Sequence, residues 1–267
     1  MRLGWHRGAA EKRYSLGRMN DTLCPWQIQI QGSQLDLEHL VNHFTSAPFL
    51  VRKDDRAPGF LYESEAFHSC TTSQEVIAIA ERDLLILSGV LKLLRDSPEV
   101  LRAGAVYHTN AAGSRDVFVH LSEALQVRVE VGVVGVTITD SQGNVVSVPP
   151  PPPRTIAVTN LAWTDIAVAK VMRLLAAPDS KSWVSLYRIH EVVEDDAGGE
   201  HALKKRAWGS ARDLKRFKHS ANSVTVAGDR ARHGKEQDMP PSQPMSLDEA
   251  DAYVNYLLEA WLASKGA

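Results

Sequence analysis

The chain has 267 residues, is 44% hydrophobic and 23% charged, and carries a net charge of −2, a composition that excludes a fully disordered chain, a collagen and a coiled-coil rod. Its 30 Lys and Arg against 32 Asp and Glu point to no polyanionic or polycationic partner, so any electrostatic signal has to be local. Cys24 and Cys70 are too few for a disulfide scaffold or a cysteine zinc site and suit a reducing cytoplasm, and no apolar run approaches the roughly 18 residues of a membrane span.

Residues 1–23 hold Arg2, Arg7, Lys12, Arg13 and Arg18 without the apolar core of an export signal. They read as a disordered basic arm, or as the result of a start assigned upstream of Met19. Trp26–Gln31 alternates apolar and polar residues, as a half-buried strand does. Leu35, Leu37, Leu40, Val41 and Phe44 favour a short helix before Pro48, and Phe60–Phe67 a further strand. Val76, Ile77, Ala80, Leu84, Leu87, Val90, Leu91 and Leu94 recur at helical spacing, which predicts a long helix capped by Ser73, stopped before Pro98 and buried against a sheet. Strands over 103–108, 117–121 and 126–139, then a turn at 140–144 returning to Val145, complete an α+β domain over 24–148.

Pro149–Pro153 lack amide hydrogens and have a fixed φ, so 149–154 reads as a stiff polyproline linker and domain boundary. The remainder, 155–267, reads as a helical bundle. Leu161–Ala177 repeats Ile166, Ala169, Met172 and Leu175. The next helix is capped by Asp179 or Ser180, presents Trp183, Leu186, Tyr187, His190 and Val193, and ends near Gly198. Ser210 caps a helix carrying Leu214 and Phe217, and Ser246-Leu-Asp-Glu249 is a capping box before the stripe Ala250, Tyr253, Val254, Leu257, Leu258 and Trp261.

Charge is most uneven over 201–235, where Lys204, Lys205, Arg206, Arg212, Lys215, Arg216, Lys218, Arg230, Arg232 and Lys235 face only Asp213 and Asp229. Such a segment neutralises phosphates and binds RNA with a salt dependence. The competing reading is internal: Glu191, Glu194, Asp195, Asp196 and Glu200 directly precede it and are placed to balance it.

Three stretches, Trp183-Val-Ser-Leu-Tyr-Arg-Ile-His-Glu191, Arg212-Asp-Leu-Lys-Arg-Phe-Lys-His219 and Asn222 to Gly234, give the last hundred or so residues a texture that resembles HEPN domains. The resemblance implies a helical bundle of the kind found in toxins and phage-defence proteins, many of them metal-independent ribonucleases in which four to six residues separate an Arg from a His. It also implies a homodimer, because two copies of such domains usually build one site. Arg212 and His219 fit that spacing; so do Arg102 with His108 and Arg115 with His120, outside the helical half. Residues seven apart on an α-helix share a face, where His219 would take a 2′-hydroxyl proton and Arg212 the developing phosphorane charge. Arg230-Ala-Arg232-His233-Gly234 is similar to a second HEPN element, without an Arg at the required offset; as a plain turn it would leave His233 bonding a nearby carbonyl.

His190 reads as a general-base partner or as a buried, hydrogen-bonded core histidine, and Glu191 and Glu194 as partners for Arg212, Arg230 or Arg232. His39 and His43 are spaced i and i+4 but lack a third ligand and read as surface histidines. No phosphate-cradling loop, metalloprotease helix or nucleophile elbow is present, so neither cofactor nor metal is expected. The function expected is RNA binding with metal-independent cleavage. The alternative is a non-catalytic module for dimerisation or for a partner protein.

Overall fold

The structure is a computed structural model that describes residues 24–119, 153–228, 231 and 242–267. The basic arm, the strands expected after residue 120, Pro149–Pro152, and Arg230, Arg232, His233 and Lys235 lie outside the described residues.

The fold is α+β: an antiparallel sheet followed by helices. Strand β1 (Trp26–Gln31) is central, because its apolar residues Trp26, Ile28 and Ile30 are buried and both its edges are paired. Helix α1 (Gln34–His43) follows, then β2 (Thr45–Ser46), β3 (Phe49–Lys53), β4 (Phe60–Ser64), the long helix α2 (Ser73–Arg95), β5 (Arg102–Thr109) and β6 (Arg115–Phe118). The sheet order is β2-β3-β4-β1-β5-β6, with Ile28 opposite both Tyr62 and Val106. The strand expected over 60–67 stops at Ser64, whose hydroxyl accepts the Ala66 N–H and caps a 3₁₀ turn over Glu65–Ser69. The α2 cap is Thr72 rather than Ser73: its hydroxyl receives the Glu75 N–H, and Glu75 reaches back to complete the box.

Helix α2 is apolar on two sides, which is why it is buried along its length. Val76, Ala80, Leu84, Leu87 and Leu91 join the sheet core, while Ile86 and Val90 join the core of the helical half. That half begins with α3 (Arg154–Thr164) and α4 (Ile166–Ala176). The single helix expected from 161 to 177 is thus two helices. Asp165 separates them because its carboxylate accepts the N–H groups of Ala167 and Val168 and caps α4. Ile166, placed in the apolar stripe by spacing, is consequently 85% exposed at the new start. Asp83, on α2, accepts the Tyr62 hydroxyl at 3.0 Å from the sheet and the Trp163 N–H at 3.3 Å from α3, and Trp163 stacks on Phe49.

Helix α5 (Trp183–Ala197) is capped by Ser182, not Asp179 or Ser180, and buries its expected face. It is followed by α6 (Glu200–Arg206), which the spacing does not announce, α7 (Ala211–Asn222), the short α8 (Val224–Ala227) and α9 (Leu247–Ser264). The caps at Ser210 and Ser246 form as expected, the second as a full capping box. Among the described residues no helix is long and apolar enough to cross a membrane.

Candidate nucleic-acid interface

Helix α7 is apolar on one side only, so burying Leu214, Phe217, Ser220 and Ala221 turns its charged side outward. Arg212 is exposed and its guanidinium donates to Gln243 Oε1 at 2.5 Å. His219 is half-buried, about 10 Å further along the helix on the same face. Arg216, one turn after Arg212, is committed elsewhere: it donates to the Gln243 carbonyl at 2.9 Å and lies 3.4 Å from Glu249 and 3.5 Å from Asp213.

Lys218 is not part of an open basic face. Its ammonium bridges Glu194 at 2.8 Å on α5 and Glu200 at 2.7 Å on α6. Burial alone would lower the Lys218 pKa, but the hydrogen bonds to Glu194 and Glu200 raise it overall. Glu200 is pulled down to about 2 by hydrogen bonds from Lys204 and Lys218. The acidic run before the basic segment therefore neutralises part of it. Among the described residues Glu194 pairs with Lys218 and not with Arg212; Arg230 and Arg232 lie outside them. Glu191 lines a cleft of about 940 Å³ with Asp165, Lys170 and Arg188.

What stays outward on α6 and α7 is Lys205, Arg206, Arg212 and Lys215, with Lys204 exposed but paired to Glu200 at 2.6 Å. Lys205 and Lys215 make no ion pair among the described residues. Arg206 lies over the partly exposed Trp208 ring, 4.8 Å from its centroid, a pairing of cation and aromatic face that nucleic-acid surfaces use. Sequence reasoning missed Gln243 and Glu249, which hold the two arginines of α7 from 25 or more residues away; only their polarity beside a capping box hinted at it.

Of the other two Arg–His pairs, His120 lies outside the described residues and Arg102 is exposed. Arg115 is held by Asp54 at 2.9 Å and lies over the Tyr107 ring, and His108 packs against Trp26. Nor are His39 and His43 simple surface residues: their rings meet at 4.4 Å, and His39 contacts Thr155 Oγ1 at 2.9 Å. Among the described residues no group of three ligating side chains is placed to hold a metal.

His190 is fully buried among Phe217, Tyr187 and Tyr253. It is a core residue, as the second of its two readings held, but neither ring nitrogen makes a hydrogen bond; Nδ1 lies 3.4 Å from Glu194 without bonding alignment. Burial, then the charge of Lys218, lowers its pKa to about 3. It stays neutral, which leaves no charged base within this aromatic cluster. The unfolded chain takes up a proton near pH 6.5 that the native state refuses until about pH 3. Stability is complete above about pH 6.5 and falls toward pH 3, by up to roughly 1.4 kcal/mol per pH unit for this one group. His39, lowered to about 4 by burial and Arg95, adds a second such slope. In urea unfolding between pH 7.5 and 4.5, His190→Leu is expected to flatten the decline; an unchanged slope would show that His190 protonates freely in the native state.

Comparison with protein-family models, curated proteins and solved structures gives no match for this chain.

Proposed function

We propose that the protein binds single-stranded RNA through the exposed side of α6 and α7 and cleaves it there without a metal. The observation that carries this reading is the set of cations left over after internal pairing: Lys205, Arg206, Arg212 and Lys215 face outward on two successive helices, with His219 on the same face as Arg212. Phosphates are the chemistry that such a face attracts. In the cleavage step His219 takes the proton of a 2′-hydroxyl, the 2′-oxygen attacks phosphorus, and the bond to the 5′-oxygen breaks. The leaving 5′-oxygen takes its proton from a solvent water, and Arg212 holds the charge of the phosphorane through N–H groups not used by Gln243. The HEPN resemblance supports the same pairing and adds a second copy of the chain as partner. The free thiols of Cys24 and Cys70 are in keeping with a reducing cytoplasm.

The test is a salt titration of binding to a labelled single-stranded RNA in EDTA. Lys205→Glu with Lys215→Glu is expected to reduce the slope of log affinity against log salt by about 1.4, that is about 0.7 per lost phosphate contact. His219→Ala is expected to keep binding and stop cleavage. Binding with no salt dependence would overturn the interface, and cleavage that survives His219→Ala would overturn the pair. A docking surface for a partner protein is the second reading, favoured by Ile166, which is 85% exposed and lines the cleft shared by α4 and α5; it becomes the better one if RNA is not bound at all.

A further inference from the structure

We infer that the cavity between the start of α7 and α9 is a nucleobase subsite, one that takes a guanine from the strand lying on the basic face. The inference rests on the RNA-binding reading and adds to it what the strand presents.

The cavity measures about 660 Å³, and Gly209, Asp213, Arg216, Glu249, Tyr253 and Tyr256 are among the residues lining it. That is the size range of small-molecule sites. Its floor is Tyr253, only 8% exposed. The turn before α7 approaches that ring so closely that a Cβ at Gly209 would lie 3.0 Å from Tyr253 Cε2, and the backbone there has φ of +99°. Its wall is Tyr256, which is 59% exposed. Every stripe residue of α9 is buried, so Tyr256 is an aromatic ring that the core does not use. A wet ring of this kind is a stacking platform for a base.

The polar groups choose the base and exclude the phosphate. Arg216 has a side chain only 20% exposed and is surrounded by Asp213, Glu249 and the Gln243 carbonyl. Its charge is spent within the protein. The two carboxylates remain 42% and 52% exposed. Glu249 is held ionised by the Ser246 N–H first and by Arg216. Carboxylates repel phosphate and accept N–H donors. Guanine presents two adjacent donors on its pairing edge, whereas uracil presents one. Arg212 lies one turn before Arg216 on α7, so a phosphate on Arg212 leaves its base at the mouth of the cavity.

Three RNA oligomers decide it: uridine throughout, the same with one central guanosine, and the same with one central abasic site. The expected order of affinity is guanosine over uridine over abasic, with guanosine about tenfold tighter than abasic, the range of one stacked base. Tyr256→Ala should erase the differences and Tyr256→Phe should keep them; the residue is exposed, so neither variant disturbs the core. Equal binding of all three oligomers, or differences that persist in Tyr256→Ala, would overturn the subsite while leaving phosphate binding intact. Failure of all three to bind would overturn the RNA reading together with the subsite.

Discussion

Gly89→Ala is expected to lower stability by about 3 kcal/mol, although alanine favours an isolated helix over glycine by about 1 kcal/mol. Gly89 faces α4 where the two helices cross. A Cβ there would sit 2.5 Å from the carbonyl carbon of Met172 and 2.7 Å from its Cα, and closer still to the carbonyl oxygen. All three are backbone atoms, so no rotamer change relieves the contact and the helices have to separate. Separation also pulls Ile86 and Val90 of α2 out of the helical core, while Leu84, Leu87 and Leu91 remain in the sheet core. Because one helix serves both cores, circular dichroism of helix and near-ultraviolet signals from the sheet aromatics should lose stability together. For a chain of this size the loss corresponds to a fall in Tm of about 6–12 °C. A variant as stable as the wild type would mean that α2 and α4 part at little cost.

Phe217→Ala is expected to cost about 3–5 kcal/mol, the range for deleting a fully buried phenylalanine side chain. Phe217 has no exposed surface, and its ring lies 5.2 Å from those of His190 and Tyr253 and 5.8 Å from that of Tyr187. No side chain nearby is free to fill the void, since each of these rings is itself packed. Phe217 is also the main anchor of α7, whose other buried residues are small except Leu214. The urea midpoint should fall, and amide hydrogen exchange should rise first along α7, before α2 or the sheet. RNA affinity should fall with it, because Arg212 and Lys215 keep their places only while α7 is docked. Phe217→Leu restores most of the volume and should recover most of the loss. Exchange that rises evenly across the chain would show that α7 does not open by itself.

Several elements are legible from neighbours along the chain alone. The caps at Ser210 and Ser246 and the faces of α5 and α9 depend on residues three and four apart, and β1 on alternation. Their formation as expected reflects that local origin. Strands β2 and β3 were not legible: each is short, and Thr45–Ser46 has no buried side to mark it, so only pairing with the neighbouring strand defines them. The break at Asp165 was written as a helix cap, yet the apolar repeat of 161–177 runs across it and hides it.

The basic segment divides along the same line. That 201–235 is rich in Lys and Arg, and that Arg212 and His219 share one face of a helix, follows from composition and from 3.6 residues per turn. Which of those charges remain outward is a tertiary result. Lys218 is taken by Glu194 and Glu200, and Arg216 by Glu249 and the Gln243 carbonyl, while Arg206, Arg212 and Lys215 are left at the surface. Hydrogen bonds and ion pairs act over about 3–4 Å, so whether a charge is spent or available depends on groups that only packing brings within that distance.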